Sequence, residues 1–136
     1  MYDEYPILGQ KIAALSLGDY LEFGCGSGGF LAYVLSLNQS LDSITAVDIN
    51  AKSVELARAE LSDHNIKFIV QEQLPLDIPD ENFSTITLSN TLHHLRDKPA
   101  VLAEFTRLLS RDGKLILTEM VSDGLSEAEQ TYLMFH

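Results

Sequence analysis

The sequence predicts an α/β fold: a mostly parallel sheet of about five strands between two layers of helices. Three observations predict it. Short apolar runs alternate with longer stretches of helical periodicity along the 136 residues. The first apolar run ends in Glu22 and breaks at once into a glycine loop, Gly24, Gly26, Gly28 and Gly29. Four polar residues, Glu22, Asp48, Glu72 and Asn90, fall at or just beyond the ends of predicted strands, the edge where such sheets bind ligands.

The elements follow in order. Tyr5 to Leu17 reads as a helix, with Ile7, Leu8, Ile12 and Leu15 near one face. Tyr20 to Phe23 is the first strand, and Gly29 to Leu37 a helix that is apolar nearly all round, as suits one lying on a sheet. Ser43 to Val47 is the second strand, and Asn50 caps a helix over Ala51 to Ser62. Ile66 to Val70 and Phe83 to Leu88 are the third and fourth strands. Asp97 caps a helix with Pro99 in its first turn, running to about Leu109. Asp112-Gly113 reads as a turn, Lys114 to Met120 as the fifth strand, and Ser126 with Glu127 and Glu129 as the opening of a final helix.

Strands separated by helices argue for parallel pairing with both faces covered. Right-handed crossovers then give the order 3-2-1-4-5, switching between strands 1 and 4. One link tests this. Residues 71 to 82 join strand 3 to strand 4 and must cross two strands, roughly 14 Å at about 4.8 Å per strand, and return along the strand length, about 17 Å. Twelve extended residues reach roughly 40 Å, enough for the crossing but not for a full helix besides. Pro75 and Pro79 suit an extended path.

The loop binds a nucleotide-like cofactor: glycines let the backbone turn sharply and a ligand approach it, and the following helix aims its free N–H groups at the same place. The glycine spacing fits two cofactors. Gly24, Gly26 and Gly29 satisfy G-x-G-x-x-G, the dinucleotide pattern, while Gly24, Gly26 and Gly28 satisfy G-x-G-x-G. Glu22 separates them. A carboxylate at a half-buried strand end costs several kcal/mol if unpaired; it would repel a pyrophosphate and attract a cation. S-adenosylmethionine carries an ammonium and a sulfonium and no phosphate.

Composition narrows the function classes. Apolar residues make up 46% and charged residues 21%, ordinary for a globular domain, and the length suits one domain over 1–136. The net charge of -11 repels nucleic acid and anionic membranes and suits a cationic cofactor with a small-molecule substrate. No apolar stretch reaches membrane-spanning length. A single cysteine, Cys25, rules out an internal disulfide and a cysteine metal cluster; it reads as a small residue that fits the loop, and a reducing cytoplasm is the expected compartment. No metal site is expected.

With Glu22, one intervening residue and then G-x-G-x-G, the chain resembles the class I S-adenosylmethionine-dependent methyltransferases, which have a Rossmann-like three-layer fold. The resemblance extends over most of the chain. It implies that Glu22, Gly24, Cys25, Gly26 and Gly28 line the amino-acid end of the cofactor, that Asp48 accepts the ribose hydroxyls with Ile49 beside it, and that Glu72 and Gln73 lie near the adenine. Glu72 is placed by counting back from Pro79-Asp80-Glu81-Asn82-Phe83, which resembles the family's P-D-x-x-F; Gln71-Glu72-Gln73 departs from its usual Gly-Asp-Ala. Ser89 to Leu95, SNTLHHL, is similar to the segment after strand 4 in broad small-molecule members, including those of quinone biosynthesis, and implies that Asn90 lies near the methionine part. His93 and His94 are candidates for a general base, but adjacent residues project differently and chelate poorly.

The implied reaction is in-line displacement of the methyl by an electron-rich acceptor, with S-adenosylhomocysteine as product. The family usually adds a helix and two strands after strand 5. This chain stops about one helix beyond it, so the strand 5 edge is expected to lie bare unless a homodimer or another partner covers it. The chain then reads as a fragment, a minimal domain, or one completed by a partner. Two other functions stay open: an NAD(P)-dependent oxidoreductase using the alternative glycine spacing, and a non-catalytic cofactor-binding module.

Overall fold

Helix α1 (Pro6–Ala14) leads into strand β1 (Gly18–Phe23), followed by α2 (Gly29–Leu37), β2 (Leu41–Asp48), α3 (Ala51–Glu60), β3 (Lys67–Val70), β4 (Phe83–Ser89), α4 (Lys98–Leu108), β5 (Leu109–Val121) and β6 (Glu129–Phe135). The computed structural model describes residues 6–37, 40–89, 95–121 and 129–135. The strands form one sheet in the order β3-β2-β1-β4-β5-β6. The first five pair in parallel, in the expected order 3-2-1-4-5, and β6 runs antiparallel to β5.

Local signals set the helix starts. Asn50 Oδ1 accepts from the Ser53 N–H at 3.1 Å, and Asp97 Oδ1 from the Ala100 N–H at 3.0 Å, each satisfying one donor of an open helix end. Helix α1 ends at Ala14, short of the expected Leu17. The N–H groups of Leu17 and Gly18 are instead held by the Ser40 carbonyl at 3.1 and 2.9 Å, and Gly18 turns at φ +60° into the strand.

The sheet separates two cores. On one face Leu8 and Ile12 of α1, Phe30, Leu31 and Val34 of α2, and Val54 of α3 pack with Tyr20 and Ala46. On the other, Val101, Phe105 and Leu108 of α4 pack with Leu21, Val47, Ile86 and Leu88. Each fully buried side chain of this size contributes roughly 1.5–3 kcal/mol. The β3–β4 link contains no helix, as its length demanded. It seats Leu76 and Ile78 in the second core and is clamped by α4. Arg107 donates to the carbonyls of Ile78 (2.8 Å) and Leu76 (3.1 Å), while Glu104 Oε2 accepts from the Leu76 N–H at 2.6 Å.

Two expectations need correction. The final helix from Ser126 is replaced by β6: Thr131 to Phe135 is rich in β-branched and aromatic residues, and the free edge of β5 offers a ladder to pair with. That edge is therefore covered within the chain, which removes the ground for a dimer or partner there. The Asp112-Gly113 turn lies inside β5 as an irregularity. Phe83 faces Leu109 and Thr85 faces Lys114, so Ser84 alone is matched against Ser110 to Gly113.

Candidate functional site

The glycine loop is fastened to β2. The N–H groups of Gly24 and Cys25 both donate to the Val47 carbonyl, at 2.7 and 3.0 Å. Gly26 N–H donates to Asp48 Oδ2 at 2.8 Å, while Asp48 Oδ1 accepts from the Asn50 N–H at 2.9 Å. One carboxylate thus ties the loop to the start of α3. Each of its oxygens keeps a second lone pair, so a vicinal diol can still be accepted.

Two glycines do different work. Gly28 has φ +96°, and a Cβ there would come 3.1 Å from Leu61 Cδ1 and 3.2 Å from Ala57 Cβ, so it lets the loop pack on α3. Gly26 has φ +53°, and a Cβ there would meet nothing within 4 Å among the described residues. The space beside it is open to a ligand.

Glu22 stands on β1 under this loop and is 1% exposed. Among the described residues its Oε2 has no hydrogen-bond partner, and Oε1 has only a long contact, 3.5 Å, from the Tyr20 hydroxyl. Burial pushes its carboxyl up to about 8; the Tyr20 hydroxyl opposes the rise and the nearby Asp48 charge adds to it. Cys25 is also buried, and burial, with the Glu22 and Asp48 charges behind it, pushes the thiol up to about 12. It is a neutral filler at physiological pH, with too little thiolate to act as a nucleophile.

Tyr20 escaped the sequence reading. It is fully buried and its hydroxyl lies 2.6 Å from Thr87 Oγ1 on β4. The signal for the tyrosine was present, since residues two apart on a strand share a face; the threonine is distant in sequence and had none.

The other expected site residues divide. Val70 pairs with Asp48, and the Gln71 N–H donates to the Asp48 carbonyl at 3.1 Å, so the stretch leading to Glu72 and Gln73 starts at the same sheet edge. Both side chains are exposed. The local hydrogen bonds are made by Gln71, whose Nε2 donates to the carbonyls of Gln73 (2.7 Å) and Pro75 (3.1 Å). Ile49 is 64% exposed and follows Asp48 directly. Asn90, His93 and His94 lie outside the described residues.

With the acidic strand end, the loop and Asp48 in this geometry, the family comparison is decisive: residues 21–117 match the methyltransferase domain family. The chain belongs to that family. Among curated relatives, a ubiquinone/menaquinone biosynthesis C-methyltransferase of Proteus mirabilis is 29% identical over 123 residues, covering 85% of this chain and 49% of the relative. The chain thus spans about half the length of the curated relatives it matches. Among solved structures, a SAM-dependent methyltransferase from Aquifex aeolicus has the same fold, with a TM-score of 0.72 at 21% identity, covering 90% of this chain and 69% of that one. So does a cyclase, TM-score 0.72 at 24% identity, covering 87% of this chain and 44% of that one.

Methyltransferase membership implies S-adenosyl-L-methionine as the cofactor. It lends nothing to the nicotinamide reading of the glycine spacing. A separate cavity of about 520 Å³ lies between α4 and β5, lined by Leu102, Phe105, Leu109 and Leu117 among others. It opens on the sheet face opposite Glu22 and shares no residue with the loop. Among the described residues no cluster of three His, Cys, Asp or Glu could hold a metal, and no helix is long and apolar enough to cross a membrane.

Proposed function

We propose that this chain binds S-adenosyl-L-methionine across the carboxyl ends of β1, β2 and β3 and transfers its methyl to a small-molecule acceptor. One observation carries the reading: Glu22 is buried, one of its oxygens has no partner among the described residues, and no described cation lies in contact with it. A buried carboxyl without a partner is a place for a cationic ligand group. The open space beside Gly26 gives such a ligand room to approach the backbone.

In this reading Glu22 meets the ammonium end, Gly24 and Gly26 let the ligand lie close to the chain, and Asp48 accepts the ribose hydroxyls. Ile49 offers an apolar surface to the purine, and Glu72 and Gln73 border it. Asn90 is assigned to the methionine end. When bound, the cofactor supplies a methyl on a positively charged sulfur that leaves as a neutral thioether. This chain's residues chiefly orient the two reactants, and no general base is assigned. A quinol-type ring is the first acceptor to try, because the Proteus mirabilis relative is named for C-methylation in quinone biosynthesis.

The test is calorimetry with S-adenosylhomocysteine and, separately, NAD, followed by transfer of a labelled methyl to a panel of acceptors. Binding of S-adenosylhomocysteine alone, lost in Glu22→Ala, is the expected result. Binding of NAD, or of neither, overturns the proposal. Binding with no transfer to any acceptor would instead mark the chain as a cofactor-binding module without activity of its own.

A further inference from the structure

The surroundings of Glu22 are unusual in what they lack. Tyr20 faces it from β1, Asp48 from the end of β2 and Cys25 from the loop. Across from it in register on β4 stands Thr87, which does not titrate. The buried side chains that α2 presents are Phe30, Leu31, Val34 and Leu35, and α1 adds Leu8 and Ile12 to the same core. Among the described residues none of these neighbours is basic. An ionised carboxylate there, with one 3.5 Å contact and one bare oxygen, would be an uncompensated buried charge. In the ligand-free protein the carboxyl therefore carries its proton.

The Tyr20 and Thr87 hydroxyls are arranged to serve both states of that carboxyl. At 2.6 Å either can donate to the other. With Glu22 neutral, its O–H donates to Tyr20 and Tyr20 donates to Thr87. With Glu22 ionised, Tyr20 turns its O–H toward the carboxylate and Thr87 donates to Tyr20. Rotation of the two hydroxyls, with a small closure of the 3.5 Å Tyr20–Glu22 contact, suffices.

We propose that Tyr20 and Thr87 are positioning residues that let Glu22 exchange its proton for the ammonium of the incoming cofactor, so that binding releases one proton. The proposal rests on the reading that the cofactor's ammonium approaches Glu22. The carboxyl O–H bond breaks, its proton passes to water and then buffer, and the ammonium keeps its own protons in the new ion pair. The carboxyl, raised to about 8 by burial, is mostly neutral at pH 7, and an ammonium beside it draws it back toward the ordinary carboxylate range.

Titration calorimetry of the full chain with S-adenosylhomocysteine, from pH 6 to 9 in buffers of differing protonation enthalpy, tests this. The wild type is expected to release close to one proton at pH 7. Its association constant should rise about tenfold per pH unit below pH 8 and flatten above. In Glu22→Gln both effects vanish; the ligand's own amine is common to both proteins, so the difference belongs to Glu22. Tyr20→Phe removes the donor that serves the ionised form, so the pH at which affinity flattens moves upward. A merely structural role would lower affinity by one factor at every pH.

Thr87→Val leaves Tyr20 its donor to the carboxylate but removes the acceptor used when Glu22 is neutral, so the flattening should move to lower pH, and Thr87→Ser should restore it, which keeps the test open if the tyrosine variant folds poorly. If the glutamine variant binds too weakly for calorimetry, these shifts decide. Wild-type binding without proton release, or with a release that Glu22→Gln retains, overturns the exchange and leaves the cofactor reading standing. No binding of S-adenosylhomocysteine by the wild type overturns both.

Discussion

Replacing Glu104 by alanine removes the residue that joins the β3–β4 link to α4. Glu104 Oε2 accepts from the buried Leu76 N–H at 2.6 Å, and its two oxygens hold Arg107 at 2.7 and 2.8 Å. Without it the Leu76 N–H has lost its acceptor, which costs about 1–3 kcal/mol. Breaking a fully buried ion pair costs roughly 3–5 kcal/mol. Arg107, however, is 27% exposed and keeps Asp80 and two carbonyls, so much of that is recovered. The two effects together come to about 2–4 kcal/mol. For 136 residues and an unfolding entropy of about 2.1 cal/mol/K per residue, that is a fall in Tm of roughly 7–14 °C.

Asp80→Ala is the control. Its carboxylate also bonds Arg107 at 2.7 Å but is 74% exposed, and such pairs are worth about 0–1 kcal/mol. Thermal melts followed by circular dichroism at pH 7 compare the two. Arg107 holds the Glu104 carboxyl below its ordinary value of 4.5. Its contribution is therefore present above pH 4.5 and lost as pH falls through the lowered value, so the gap between wild type and Glu104→Ala narrows on acidification. Equal melting temperatures for Glu104→Ala and Asp80→Ala at pH 7 would refute the clamp.

Three further outcomes are expected. Glu22→Gln should melt higher than the ligand-free wild type at pH 7, because a carboxyl raised from 4.5 to about 8 binds more protons folded than unfolded, so wild-type stability falls between those values; melts from pH 5 to 8 should show the gap widening, and a constant gap would sink the assignment. Gly26→Ala should cost roughly 1–2 kcal/mol for its left-handed backbone and weaken S-adenosylhomocysteine binding, whereas Gly28→Ala should cost more in stability because its Cβ meets Ala57 and Leu61; denaturant curves and calorimetry separate them. Cys25, 5% exposed with its thiol pushed up to about 12, should resist iodoacetamide at pH 8 in the native protein and react at once in urea; fast native labelling would contradict its burial.

What was legible in the sequence was what is decided locally. The glycine loop, the caps at Asn50 and Asp97 and the place of Asp48 each follow from backbone freedom or from a side chain meeting its own next turn. The strand order followed from handedness and from the reach of residues 71 to 82. The last segment departs from its local helix signals because a non-local partner decides it: Glu129 to Phe135 pairs with β5, and capping residues before it do not report on a distant edge. The Tyr20–Thr87 contact spans 67 residues and leaves no mark on spacing. The place of Glu72 rests on counting along a motif, and its exposed side chain gives burial no chance to discriminate.

The stitching of the glycine loop to Val47 and Asp48 makes the cradle a passenger of its neighbouring strand. Its amides should exchange with solvent in step with those of β2, slowly and as one unit. A compound that prised β3 from β2 would slacken the cradle from behind, and so could empty it without ever entering it.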